Sequence, residues 1–165
     1  MTARTLVLLR HAKAEHPDEG SDFDRRLTTR GKADATVAGE WLAASQINPD
    51  LVLCSPAART RQTWACIAQS LGNPEVRYEQ SLYDAGRTEV FDLLRTVPDD
   101  VQTVLLIGHN PTVSEVSLLL IPDAEWDGQQ ITLKTSAIAI HQTNAPWSTT
   151  EPAAMHLKLR HTPRA

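Results

Sequence analysis

Residues 5–12 read TLVLLRHA. Thr5 to Leu9 is an apolar run without alternation, which fits a strand buried on both faces, as in a parallel sheet. Arg10-His11 ends it abruptly. The same construction recurs twice. Residues 50–54 read DLVLC and lead into Ser55-Pro56-Ala57-Ala58-Arg59; residues 103–107 read TVLLI and lead into Gly108-His109-Asn110-Pro111. Helical spacing fills the intervals. Residues 28–46 turn Val37, Trp41 and Leu42 inward. A second helix is opened by Ser55 as N-cap with Pro56 at the first helical position, and runs to Leu71 before Gly72. Residues 88–97 put Val90, Phe91, Leu93 and Leu94 on one face, and Asn110-Pro111 opens a helix to Leu120. Val76 to Glu79, Ile131 to His141 (a hairpin or two strands) and Met155 to Arg160 supply further strands, with polar loops at 14–27 and 143–153. This alternation predicts a three-layer α/β fold: a mostly parallel central sheet, helices on both faces and an antiparallel edge strand.

The chain has 165 residues, 41% hydrophobic and 22% charged, the balance of a globular protein. No repeat or linker divides it, so a single domain over residues 1–165 is expected. Sixteen basic against 20 acidic residues leave a net charge of −4, which argues against nucleic acid as partner. The start lacks a secretory leader's long apolar stretch and no run has the length of a membrane span. Cys54 and Cys66 are too few for a disulfide framework or a four-thiolate zinc site and read as buried thiols in a reducing compartment. A cytoplasmic location is expected, without a membrane partner.

The unusual residues fall where the strands end. In open α/β sheets, ligands bind beyond the carboxyl ends of the strands. If the three strands are neighbours, Arg10, His11, Arg59 and His109 converge on one pocket. Helix N-termini at Ser55 and Asn110 would aim backbone dipoles at the same place. The natural occupant of such a pocket is a phosphoryl group, since each arginine can offer a fork of donors to its oxygens. A neutral imidazole is a competent nucleophile. Phosphoryl transfer to a histidine, without metal or cofactor, follows as the expected chemistry.

As a set, Arg10-His11-Ala12, Ser55-Pro56-Ala57-Ala58-Arg59 with Gln62-Thr63, and Gly108-His109-Asn110-Pro111 resemble the histidine phosphatase superfamily, which includes the cofactor-dependent phosphoglycerate mutases. The short length, the Arg10-His11-Ala12-Lys13 opening and the Gly108-His109-Asn110-Pro111 turn resemble its small bacterial branch, the SixA-type phosphohistidine phosphatases. The resemblance spans roughly residues 4–120. It implies that His11 is the phosphorylated nucleophile, that Arg10 and Arg59 bind phosphoryl oxygens, and that His109 is the second pocket histidine. Larger members carry a glutamate as general acid; here the nearest match is Leu82-Tyr83-Asp84, which makes Asp84 the candidate acid. The substrate implied is a phosphohistidine on a protein. Alternatives are a small phosphorylated metabolite, a non-catalytic phosphate-binding module and a metallophosphatase.

Other residues read more plainly. Cys54 stands out of register with Arg59 and Arg61 for a cysteine-based phosphatase loop and is expected in the core. Trp41 and Trp64 sit at core spacing, while Trp126 and Trp147 are placed at the pocket mouth or an interface. Asp22, Asp24, Arg25 and Arg26 form a charged loop beside the first motif, and Lys13 faces solvent. His16, His141, His156 and His161 lack metal-ligand spacing.

Overall fold

The computed structural model describes residues 3–130 and 132–165. Six strands form one sheet: β1 (Arg4–Arg10), β2 (Leu51–Cys54), β3 (Glu75–Tyr78), β4 (Thr103–Gly108), β5 (Ile138–Thr143) and β6 (His156–His161). Their order is β3-β2-β4-β1-β5-β6. The first four are parallel; β5 runs antiparallel to β1, and β6 antiparallel to β5. The antiparallel edge expected is present, built from the two late strands β5 and β6.

The apolar runs are continuous because both faces of the sheet are covered. Leu6, Leu8, Leu51, Leu53, Val104 and Leu106 point to one side, against α4 (Arg87–Arg95) and α5 (Thr112–Leu120). Val7, Leu9, Val52, Cys54, Leu105 and Ile107 point to the other, against α1 (Thr29–Ala44) and α2 (Ala58–Ala68). Each strand contributes alternate residues to two cores, the geometry of a pleated strand. A short α3 (Ser81–Asp84) precedes α4.

Two helix starts differ from expectation. α2 begins at Ala58, with Ala57 as its N-cap, and Ser55 precedes the helix. The Ser55 hydroxyl meets His109 Nε2 and accepts from the Ala57 amide, in the turn just before the helix. α5 begins at Thr112, because the Asn110 side chain donates to the Leu133 carbonyl (2.7 Å) and accepts from Ser114 (2.6 Å). α2 ends at Ala68, short of Gly72. Of the segment expected as a hairpin, Ile131 lies outside the described residues, 132–137 is irregular, and the strand starts at Ile138.

Gly31 and Gly39 set how closely α1 can pack. A Cβ on Gly31 would stand 2.1 Å from the Lys13 carbonyl, and one on Gly39 would stand 2.7 Å from the Ile67 carbonyl. Only hydrogen fits at either place. The first contact holds α1 against the turn that follows His11; the second closes α1 onto α2. Trp147 is fully buried with its indole N–H on the Val101 carbonyl, so it is core and not pocket mouth. Trp126 is half exposed and lines a separate cavity of about 110 Å³ with Ser117 and Leu157.

Candidate active site

β4 lies between β1 and β2, and this order brings the three motif turns together. The His11 amide donates to the Gly108 carbonyl (3.1 Å) and the Ser55 amide to the Ile107 carbonyl (3.1 Å). His11 and Ser55 therefore flank His109 on either side. The rings of His11 and His109 stand 5.3 Å apart. Arg10, His11, Arg59 and His109 line one cavity of about 680 Å³. That cavity holds six cationic side chains against two carboxylates, in a chain whose net charge is −4. Charge of one sign in a cleft raises the local concentration of anions.

His11 is buried, and its Nδ1 sits 2.7 Å from the Ala12 carbonyl. A carbonyl can only accept, so Nδ1 carries the proton and the lone pair is on Nε2. Ala12 is held in turn by its amide bond to Thr63 Oγ1 (3.0 Å), whose hydroxyl donates to the Arg59 carbonyl (2.7 Å). Gln62 accepts from the Leu27 amide (2.7 Å) and pins the end of the 14–27 loop. Thus the Gln62-Thr63 pair on α2 braces the turn that carries His11.

Burial lowers the His11 pKa to about 3, with His109, Arg59 and Arg10 adding in the same direction against the opposing bond to Ala12. Burial and Arg59 lower His109 to about 4. Both rings are neutral at physiological pH. His109 Nε2 meets the Ser55 hydroxyl at 2.7 Å. Its buried Nδ1 has no protein partner among the described residues, and the same is true of Arg10 Nε and Arg59 Nε. All three belong to residues that line the cavity, where buried polar atoms would ordinarily be paired.

Asp84 lies elsewhere. It is exposed on α3, accepts from Gln80 (3.1 Å), and does not line the cavity. Of the two carboxylates that line the cavity, Asp22 is the one bonded to Arg59. It accepts from Arg59 Nη2 (3.1 Å), Arg25 Nη1 (3.1 Å) and the Tyr83 hydroxyl (2.8 Å). Bonds from Tyr83, Arg25 and Arg59 outweigh the burial that opposes them and hold its pKa down at about 2. Tyr83 also sets its ring edge against His109 at 5.7 Å. Neither Tyr83 nor Ser136 is singled out by the sequence. Ser136 has φ 63°, and its amide meets both the Arg10 and His11 carbonyls. No glycine or asparagine marks that left-handed position.

Cys54 is buried, and desolvation pushes its thiol up to about 12, so it is no nucleophile. Lys13 is exposed at the cavity; His156 and His161 on β6 are exposed away from it.

The family model of the histidine phosphatase superfamily (branch 1) matches residues 6–97, and the chain belongs to that family. It is a phosphatase. Within the family it is of the SixA type: a protein of Nakamurella multipartitia named for the phosphohistidine phosphatase SixA superposes with a TM-score of 0.90 at 35% identity, covering 100% of this chain and 99% of that one. A structure of the protein histidine phosphatase SixA complexed with tungstate gives a TM-score of 0.82 at 25% identity, covering 96% and 97%. An uncharacterized protein of Mycobacterium tuberculosis is 37% identical over 161 residues, 94% of this chain and 100% of that one.

Proposed function

We propose that the protein is a protein phosphohistidine phosphatase, with His11 as the nucleophile. The observation that carries this is the convergence of Arg10, Arg59 and His109 with His11 on one cavity, the two imidazole rings 5.3 Å apart. A phosphoryl group brings three equatorial oxygens to such a set of donors. The SixA relative that binds tungstate, a tetrahedral oxyanion, supports the same reading.

The reaction then runs in two displacements. The neutral His11 Nε2 attacks phosphorus while Nδ1–H stays on the Ala12 carbonyl, which stabilises the imidazolium that forms. The leaving group departs with the electron pair of its bond to phosphorus. Water then attacks the phosphoryl-His11, the P–Nε2 bond breaks, and phosphate and a proton leave with His11 neutral again. Arg10, Arg59 and His109 stabilise the charge that spreads over the equatorial oxygens in both steps. A low His11 pKa serves the first step, because the nucleophile is always deprotonated.

A phosphohistidine leaves as neutral imidazole once its ring is protonated and needs no enzyme acid. That agrees with a site whose carboxylate is ionised. We also read residues 1–165 as one domain, supported by β1 and β6 sharing a sheet, and its compartment as the cytoplasm, which suits two unpaired thiols. The test is a phosphohistidine peptide against a panel of phosphomonoesters. We expect kcat/KM to be highest on the peptide. Higher values on a small alkyl phosphate would instead identify a metabolite phosphatase.

A further inference from the structure

Asp22 occupies the arginine that the substrate needs. Arg59 turns both terminal nitrogens to this residue: Nη1 donates to its main-chain carbonyl (2.8 Å) and Nη2 to its carboxylate (3.1 Å). An incoming phosphoryl oxygen must compete for the same fork. Nothing in the carboxylate's other bonds requires it to leave the cavity when it loses Arg59. Arg25 on Oδ1 and the Tyr83 hydroxyl on Oδ2 still hold it at the mouth. Three donors keep it ionised in the free site, and Arg25 and Tyr83 still donate to it once Arg59 is taken.

A fixed anion beside a phosphoryl dianion works against most phosphatase chemistry. It repels the substrate, and it cannot protonate an alkoxide. One class of leaving group reverses the sign of the effect: a protonated nitrogen heterocycle or amine, which carries positive charge and an N–H donor. We propose that Asp22 is a specificity-determining residue that favours substrates with a P–N bond, accepting a hydrogen bond from the protonated nitrogen leaving group after the phosphoryl group has displaced it from Arg59. This rests on the reading of His11 as nucleophile and sharpens it to a leaving-group class.

The electron count is simple. The His11 Nε2 lone pair forms the new P–N bond, and the pair of the old P–N bond returns to the substrate nitrogen. The substrate's imidazolium thereby becomes neutral imidazole and keeps its proton. Asp22 holds the other ring nitrogen's N–H throughout and transfers nothing. A charged hydrogen bond of this kind is stronger than a neutral one, and it favours the protonated substrate, the form that leaves well.

The experiment measures kcat/KM on a phosphohistidine peptide and on p-nitrophenyl phosphate for the wild type, Asp22→Asn and Asp22→Glu, together with the Kd of inorganic phosphate. Asp22→Asn should lower the preference for phosphohistidine over the aryl phosphate at least tenfold and tighten phosphate binding, because Arg59 is released. Asp22→Glu keeps the charge and should keep most of the preference. An unchanged ratio in Asp22→Asn, with both substrates faster or both slower, overturns the assignment of specificity while leaving the proposed function intact. Equal losses of preference in Asn and Glu also overturn it, since position and not charge would then matter. A wild-type enzyme inert on phosphohistidine would overturn the proposed function and this inference together.

Discussion

Acidification should leave His11 able to attack long after an ordinary histidine would be protonated. With an ordinary pKa of about 6.5, only about 3% of imidazoles are neutral at pH 5. With His11 at about 3, about 99% are neutral at that pH, a difference of about thirtyfold in competent nucleophile. The cause is burial first, then the neighbouring His109, Arg59 and Arg10. A group whose folded pKa lies below its unfolded one binds more protons when unfolded. Between about pH 3 and 6.5, unfolding therefore takes up protons at His11, and stability rises with pH. Going down, that stability is lost from pH 6.5 onward, at a rate approaching 1.4 kcal/mol per pH unit. His109 and His141, each lowered to about 4, add losses of the same sign over about pH 6.5 to 4. Imidazole resonances followed by NMR should show His11 neutral through pH 5, moving to a higher midpoint when phosphate is bound. Denaturant unfolding at pH 6.5, 5.5 and 4.5 should show falling stability, with a shallower slope in His11→Gln. A His11 midpoint near 6 in the free enzyme, or stability flat over this range, would refute the reasoning.

Four further outcomes are expected. His11→Ala should abolish turnover of every substrate by several orders of magnitude while vanadate, measured by calorimetry, still binds through Arg10 and Arg59. Arg59→Lys should cost about 2–4 kcal/mol in kcat/KM, since an ammonium cannot span two phosphoryl oxygens; wild-type kinetics would place Arg59 outside the reaction. Gly31→Ala drives a Cβ against the Lys13 carbonyl, so it should destabilise by about 1–3 kcal/mol in thermal unfolding. Asp84→Asn should change kcat/KM less than twofold on any substrate, because that carboxylate is exposed and bonded to Gln80.

Much of the site was legible because the sheet is parallel. A strand buried on both faces must be a continuous apolar run, and its carboxyl end must be abrupt. Leu9-Arg10-His11, Cys54-Ser55 and Ile107-Gly108-His109 announce those ends in one dimension, and parallel strands put all three ends on one edge. The sequence alone therefore determined the α/β fold and named Arg10, His11, Arg59 and His109 as one group. It did not determine which strand lies in the middle; hydrogen bonding places β4 there and sets His109 between His11 and Ser55. Ser55 was legible as a hydroxyl before a helix, but a hydroxyl serves either a cap or a neighbouring imidazole, and only the fold brings His109 within 2.7 Å. Asp22 and Tyr83 had no periodic signal. They lie 37 and 24 positions from Arg59 along the chain, and segments of a single turn carry no pattern that says where they will rest. Tertiary structure alone closes Asp22 onto Arg59 and sets the Tyr83 hydroxyl on Asp22, because the positive charge of Arg59 and Arg25 draws the carboxylate to it.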